Sequence, residues 1–207
     1  MTPTNTIVAV GDIHGCYTKL KEVLNRYKDS GVHMVFLGDL IDRSPEKNGD
    51  LQVVQTLYAL QKDPSSMGLS KVTVLKGNHE AFLLDLIGDP CKSKMEHWVF
   101  NGGDPTLLEH IGPYVAWLYS LPTTYVEGKY LFVHAGVEPG VPLEDQSKEQ
   151  MRWIREPFLS QDHGLPYVVV HGHTVTPNMK PEILPWRIGI DTGATFGGPL
   201  TAYELTA

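Results

Sequence analysis

Cysteine is nearly missing from this sequence. Two occur in 207 residues, Cys16 and Cys91, too few for a disulfide scaffold and without the spacing of a thiolate zinc cluster. Long apolar runs are missing as well. No stretch approaches the ~20 residues that cross a bilayer, and the first six residues, Met-Thr-Pro-Thr-Asn-Thr, lack the basic segment and apolar run of a signal peptide. These absences predict a cytoplasmic protein in a reducing compartment, with no membrane partner. Positive charge is in short supply too: 17 Lys and Arg face 24 Asp and Glu, a net −7. A general nucleic-acid partner is therefore not expected, because phosphate backbones need a positive footprint. A local positive pocket, or bound cations, is compatible with that balance.

What is present is globular: 42% hydrophobic and 20% charged residues. No repeat, low-complexity tract or linker divides the chain, so residues 1–207 are expected to form a single catalytic domain. Acidity and length fit a monomer and a dimer equally. Residues 7–10, 34–37 and 72–75 are short apolar runs. Between them, Leu20, Val23, Leu24 and Tyr27, then Leu51, Val54, Leu57 and Tyr58, fall at helix spacing. The series β-α-β-α-β predicts an α/β fold with adjacent parallel strands. Phe82, Leu83, Leu86, Trp98, Leu107, Leu108, Ile111 and Leu118 predict a helical middle. Residues 124–126 and 130–133, around Glu127-Gly128-Lys129, predict a hairpin. Residues 167–170, 188–190 and 200–205 add strands, and Pro177, Pro181 and Pro185 predict a loop.

The polar residues gather at the ends of those runs. They read Gly-Asp12-Ile-His14-Gly, Gly-Asp39-Leu-Ile-Asp42-Arg43, Gly-Asn78-His79-Glu80, His134-Ala-Gly and His171-Gly-His173. Open α/β sheets bind ligands beyond the carboxyl ends of their strands. Asp12 and His14, two apart, can offer one oxygen and one nitrogen to an ion; Asp39 can bridge two ions; Asn78, His134 and one of His171 and His173 can complete a second set. An O/N set without thiolate suits Mn²⁺, Fe or Zn²⁺, and two ions about 4 Å apart can clamp an in-line displacement. Each piece alone has a plainer explanation: a Gly-Asp turn, an Asn78 helix cap with Glu80 in the first turn, a His134 satisfied by a backbone carbonyl. Their joint occurrence in this order does not.

These motifs, with Trp98-Val-Phe-Asn101-Gly-Gly, Trp153-Ile-Arg155-Glu156 and Ile190-Asp191-Thr-Gly, resemble those of the metallophosphoesterases. Within that superfamily they are similar to the PPP-type serine/threonine protein phosphatases of bacteria and phages, including lambda-type phage phosphatases. The resemblance runs from about residue 7 to 205. It implies a central β-sandwich of two mixed sheets flanked by helices, with a dinuclear centre above one edge and two divalent ions, Mn²⁺ foremost. It further implies that Asp12 and His14 bind the first ion, that Asp39 bridges, and that Asn78, His134 and His173 bind the second. His173 is preferred over His171 because the family ligand directly follows a glycine. Arg43 and Arg155 are implied as phosphate clamps, His79 as general acid oriented by Asp42, and Asn101 as a contact near the phosphoryl group. Asp42 is expected to favour the protonated imidazole. Ser44 stands where the family pattern has glycine, and Cys16 is expected to be a packed residue at a helix start.

The function these features lead to is hydrolysis of phosphomonoesters, on phosphoprotein or small phosphoester substrates, by a protein serine/threonine phosphatase of broad specificity. Symmetrical diadenosine tetraphosphate hydrolysis, giving two ADP, is the alternative with the same core motifs. A catalytically silent phosphopeptide-binding module is the alternative of another class.

Overall fold

The computed structural model describes residues 6–206; the first five residues, which carry most of the segment read for a leader, lie outside them. Among the described residues nine strands form two mixed sheets. The first holds β1 (Thr6–Val10), β2 (His33–Phe36), β3 (Lys71–Val74) and β9 (Ala202–Thr206), in the order β3-β2-β1-β9. β1, β2 and β3 are parallel, and β9 returns antiparallel beside β1. The second holds β4 (Thr124–Glu127), β5 (Tyr130–Val133), β6 (Val168–His171), β7 (Glu182–Ile183) and β8 (Arg187–Gly189), in the order β4-β5-β6-β8-β7. Its β5, β6 and β8 are parallel, whereas β4 and β7 pair antiparallel at the edges. β4 and β5 form the expected hairpin, with Gly128 supplying the positive φ of the turn.

Strand alternation explains the layers, because successive side chains point to opposite faces. Ile7, Ala9, Val35 and Leu37 face inward and meet Phe132, Val170 and Ile188 of the second sheet in one core. Val8, Val10, Met34 and Phe36 face outward into a larger core beneath the helices. α1 (Tyr17–Arg26) buries Leu20, Val23 and Leu24, and α2 (Gly49–Lys62) buries Val53, Val54, Leu57 and Leu60, the i, i+3, i+4 stripe of a one-sided helix. α3 (Asn78–Gly88), α4 (Lys92–Phe100) and α5 (Val115–Ser120) complete that layer. On the far face of the second sheet, Leu131, Val133 and Val169 pack on Met151 of α6 (Gln150–Trp153) and on Ile154 and Phe158. The result is a β-sandwich of two mixed sheets flanked by helices. Within the segment read as a proline-punctuated loop, Glu182 and Ile183 form β7 against β8; two residues of edge strand lie below what periodicity can register.

Candidate metal centre

The parallel strands of both sheets end at the same edge of the sandwich, and the strand-end motifs meet there. Asp39 Oδ2 is the hub. His134 Nε2 lies 3.3 Å from it, His14 Nε2 3.6 Å and His79 Nε2 3.9 Å. In each ring the other nitrogen is committed elsewhere: Nδ1 of His134 donates to the Leu37 carbonyl at 2.9 Å, Nδ1 of His14 donates to the Ile41 carbonyl at 2.9 Å, and Nδ1 of His79 sits 2.7 Å from Asp42 Oδ2. Fixing Nδ1 in this way turns Nε2 toward the centre and, for His134 and His14, orients the ring as metal-binding histidines require. Asn78 does not cap α3, because Gly77 holds that position. The Asn78 Oδ1 instead lies 2.8 Å from His134 Nε2 and 3.0 Å from His173 Nδ1.

Two clusters of donor atoms result. His14, Asp39 and His79 bring donor atoms within 4.8 Å of one another, and so do Asp39, His134 and His173. Asp12 lies beside them with both carboxylate oxygens accepting from the His173 backbone N–H, at 3.1 and 3.0 Å. Residue 172 has to be glycine for that approach, since a Cβ there would overlap Asp12 Oδ1. His171 faces the other way: its ring packs edge-on to Phe158 and lies 3.4 Å from Arg187 Nη1. Of the histidine pair, only His173 reaches the cluster.

Electrostatics show what this cluster demands. Asp12, Asp39, Glu80 and Asp191 are all buried, and among the described residues none of them pairs with a Lys or Arg side chain. Burial alone would raise the Asp39 carboxyl, but His134, His79 and His14 hold it well below the carboxylate range. Burial, then Asp191, pushes Asp12 up. Burial works to lower the His134 imidazole, yet Asp39 outweighs it and raises that ring to about 10. A proton on a buried histidine is thus serving carboxylates that call for positive charge, which a divalent ion would supply more fully. His14 and His173, lowered by burial to about 4 and about 3, are neutral at pH 7, the form that ligates a metal. These donors fit two divalent cations.

The centre is held under strain. Nine described non-glycine residues have positive φ, and five of them are His14, Asp39, Asp42, Arg43 and His173. Asp and His tolerate this region better than most residues, but each still costs on the order of 1 kcal/mol. Glu80 helps impose it, since its carboxylate accepts from the backbone N–H of Asp39, Leu40 and Gly77 at 3.0, 2.8 and 2.8 Å. Sequence reasoning placed Glu80 only in a first helical turn; its position in Gly-Asn-His-Glu was the available signal. Ser44 has no positive φ, so the backbone there does not require glycine. Its hydroxyl reaches the Gly15 and Glu46 carbonyls at 3.0 and 2.9 Å, tying two strand-end loops together. Cys16 is buried at the start of α1 and burial pushes its thiol up, as a packing residue requires.

Around the cluster lie Arg43 and Arg155, both exposed. Arg43 Nη1 lies 3.3 Å from His14 Nε2, and its Nε donates to the Asn101 carbonyl at 3.2 Å. The Asn101 side-chain amide donates back to the His97 carbonyl at 2.9 Å, so Asn101 meets Arg43 through its backbone. For His79 the expected preference for the protonated imidazole gives way: burial lowers it, Asp39 opposing, while burial raises Asp42 to about 8 against the Trp98 hydrogen bond. The 2.7 Å contact holds the two side chains together. Two open clefts meet at Arg43, Arg155 and His173. One, of about 530 Å³, also runs along Asp39, His79 and Trp153; the other, of about 710 Å³, runs along His14, Asp191 and Phe196. Trp153 is 45% exposed and Phe196 59%, and the Trp153 ring stands edge-on to His173 at 5.9 Å.

Comparison with known proteins agrees with this geometry. The model of the calcineurin-like phosphoesterase family matches residues 6–198. A symmetrical bis(5'-nucleosyl)-tetraphosphatase of Aromatoleum aromaticum is 31% identical over 144 residues, covering 67% of this chain and 46% of the relative. The chain spans less than half the length of the first tetraphosphatases it matches. Serine/threonine-protein phosphatase 1 of Salmonella typhimurium is 29% identical over 213 residues, covering 95% of this chain and 90% of the relative. The crystal structure of a cold-active protein-tyrosine phosphatase from a psychrophilic Shewanella superposes with a TM-score of 0.66 at 19% identity, covering 98% of this chain and 75% of that one. This chain belongs to the calcineurin-like phosphoesterase family. Among the described residues no helix is long and apolar enough to cross a membrane.

Proposed function

We propose that this metallophosphoesterase hydrolyses bis(5'-nucleosyl) tetraphosphates, diadenosine tetraphosphate being the test case, to two nucleoside diphosphates. The observation that carries the proposal is the pair of clefts meeting at Arg43 and Arg155, each with an exposed aromatic ring on its wall. A substrate with four phosphates in the middle and a base at each end matches that layout. The recurrence of tetraphosphatases among the relatives supports it.

In this scheme Asp12, His14 and Asp39 would hold one divalent ion and Asp39, Asn78, His134 and His173 would hold the other, Mn²⁺ being the first choice for an O/N donor set. When bound, such a pair supplies Lewis acidity that lowers the pKa of water and offsets charge on phosphoryl oxygens. Arg43 and Arg155 grip the phosphoryl oxygens with paired N–H donors. Trp153 and Phe196 stack on the bases. Water attacks one inner phosphorus, the bridging P–O bond breaks on the opposite side, and the bridging oxygen departs with the second nucleotide. His79, steadied by Asp42, is placed to hand that oxygen a proton.

A second substrate class is favoured by one feature. Nucleoside diphosphate leaves readily without a proton, whereas a serine or threonine alkoxide does not, so a built proton donor suits a phosphoprotein; the long alignment with the Salmonella phosphatase points the same way. A turnover panel on Mn²⁺-loaded protein decides between them. The expected result is a kcat/KM for diadenosine tetraphosphate at least ~10-fold above phosphoserine and phosphothreonine peptides, with ADP as the product. Preference for the peptides, with phosphate released, would overturn the tetraphosphate proposal; ATP plus AMP as products would overturn symmetrical cleavage.

A further inference from the structure

α4 buries one side chain. Of its nine residues only Trp98 is buried, while Val99 and Phe100 beside it are exposed. The Trp98 ring packs in the core beneath the helices, with Met95 beside that core, and its one polar atom makes a specific contact as well. Its indole Nε1–H is 3.0 Å from Asp42 Oδ1 and 3.0 Å from Asp42 Oδ2. Asp42 is fully buried, and its Oδ2 lies 2.7 Å from His79 Nδ1. The three residues form a chain from α4, through the loop after β2, to the first turn of α3.

We propose that Trp98 is a positioning residue for the reaction: its forked N–H bond holds the plane of the Asp42 carboxylate, and Asp42 thereby aims the His79 ring at the leaving oxygen. The proposal rests on His79 being the proton donor, not on which phosphate ester is the substrate. A neutral N–H suits the task. It orients the Asp42 carboxyl group through a hydrogen bond without placing a positive charge beside the imidazole, as an Arg or Lys would. The turn that follows α4 serves the same end. Its residues Asn101-Gly102-Gly103 pack so closely that a Cβ at residue 103 would overlap the Trp98 indole, which leaves the ring one seat. The Gly102 carbonyl accepts from the Arg43 backbone N–H at 2.7 Å, and the Asn101 carbonyl accepts from Arg43 Nε. One helix end therefore sets two neighbours in the loop: Asp42, which orients the proton donor, and Arg43, which lines both clefts. This gives the Trp98-x-x-Asn101-Gly-Gly segment a role, and it shows Asn101 acting on the site through its carbonyl.

The test replaces Trp98 by Phe and, to preserve the ring's shape, by β-(3-benzothienyl)alanine, which has sulfur in place of N–H. Phosphate monoesters with graded leaving groups are the substrates, so that the identity of the natural substrate does not enter. With phosphoserine-type alkyl esters, kcat should fall by ~10- to 100-fold at a KM within about twofold of the parent; with 4-nitrophenyl phosphate, whose leaving group departs without a proton, it should fall less than ~3-fold. In a His79→Asn background, either replacement should change kcat less than ~2-fold. In the metal-free protein, the His79 Nδ1–H proton should give a slowly exchanging NMR signal that the benzothienyl replacement abolishes. An equal loss across all leaving groups, a full additional loss on His79→Asn, or an unchanged His79 signal would overturn the positioning role. Failure to cleave tetraphosphate with these patterns intact would count only against the substrate proposal.

Discussion

The two sheets supply the centre differently. Residues at the ends of the four-stranded sheet hold one another. Glu80 locks Asp39 and Leu40 to Gly77, His14 is fixed by Ile41, and His79 by Asp42. Residues at the ends of the five-stranded sheet lean on the other half. His134 is held by the Leu37 carbonyl and meets Asn78 and Asp39, while His173 donates its backbone N–H to Asp12 and sets its Nδ1 3.0 Å from Asn78 Oδ1. Apart from Asp12, whose carboxylate accepts from the His173 backbone N–H, the carboxylate half is thus organised from within, and the imidazole side chains are organised across the sandwich. Damage should travel from the first half to the second more readily than the reverse.

The largest expected effect comes from the shared residue. Asp39→Asn should reduce bound divalent metal from two ions to none at micromolar free Mn²⁺ and lower kcat/KM by at least ~10³-fold; elemental analysis showing two retained ions would remove Asp39 as the bridge. Next, His134→Ala strikes only the dependent half. It should leave one ion bound and lower kcat by ~10²- to 10³-fold, and loss of both ions would show the halves to be mutually dependent.

The interface between the sheets is the third way to test the asymmetry. Phe132 is fully buried between them, two residues before His134. Phe132→Ala should cost about 3–5 kcal/mol in urea unfolding, the transfer loss plus a cavity, and weaken metal binding. Leu57→Ala under α2 should cost about 2–5 kcal/mol and spare metal affinity. Equal effects of the two on metal affinity would mean that the dependent half does not rely on the inter-sheet packing.

The smallest effect concerns the carboxylate half alone. Asp50 is buried at the start of α2 with its Oδ1 unpartnered, and burial, then Asp42, raises it from 3.8 to about 7. A carboxyl raised on folding favours the fold below its unfolded value, and that contribution is lost as pH climbs through the folded one. Asp50→Asn should therefore be more stable than the parent by on the order of 2 kcal/mol at pH 8, with the two converging near pH 4. Chemical denaturation at the two pH values measures this, and a constant difference would show that charge is not its source.

Much of this centre was legible in the residues because strand ends announce themselves. An apolar run closing on Gly-Asp or Gly-Asn-His places its polar residues at one edge whatever the rest of the chain does. That logic located Asp12, His14, Asp39, Asn78, His79 and His134 from local pattern, and family resemblance chose His173 over His171. It could not say that β9 would return beside β1, or that the strands would divide between two sheets; the resemblance, not the periodicity, carried that expectation. A strand buried on both faces reads the same in either sheet, since the pairing partner is decided by chain segments far away.

The sequence by itself determined which chemical groups stand at the strand ends, because side-chain type and apolar spacing are local properties. Only the tertiary structure decided which nitrogen of each ring faces the centre, because the atom that binds the other nitrogen, Leu37 O for His134 or Ile41 O for His14, comes from elsewhere in the fold. It also decided that Glu80 clamps a loop 40 residues away in sequence, that Trp98 holds Asp42, and that burial rather than a neighbouring carboxylate governs His79. Hydrogen-bond geometry and desolvation depend on what surrounds a group, and those surroundings exist only once the two sheets have closed on each other.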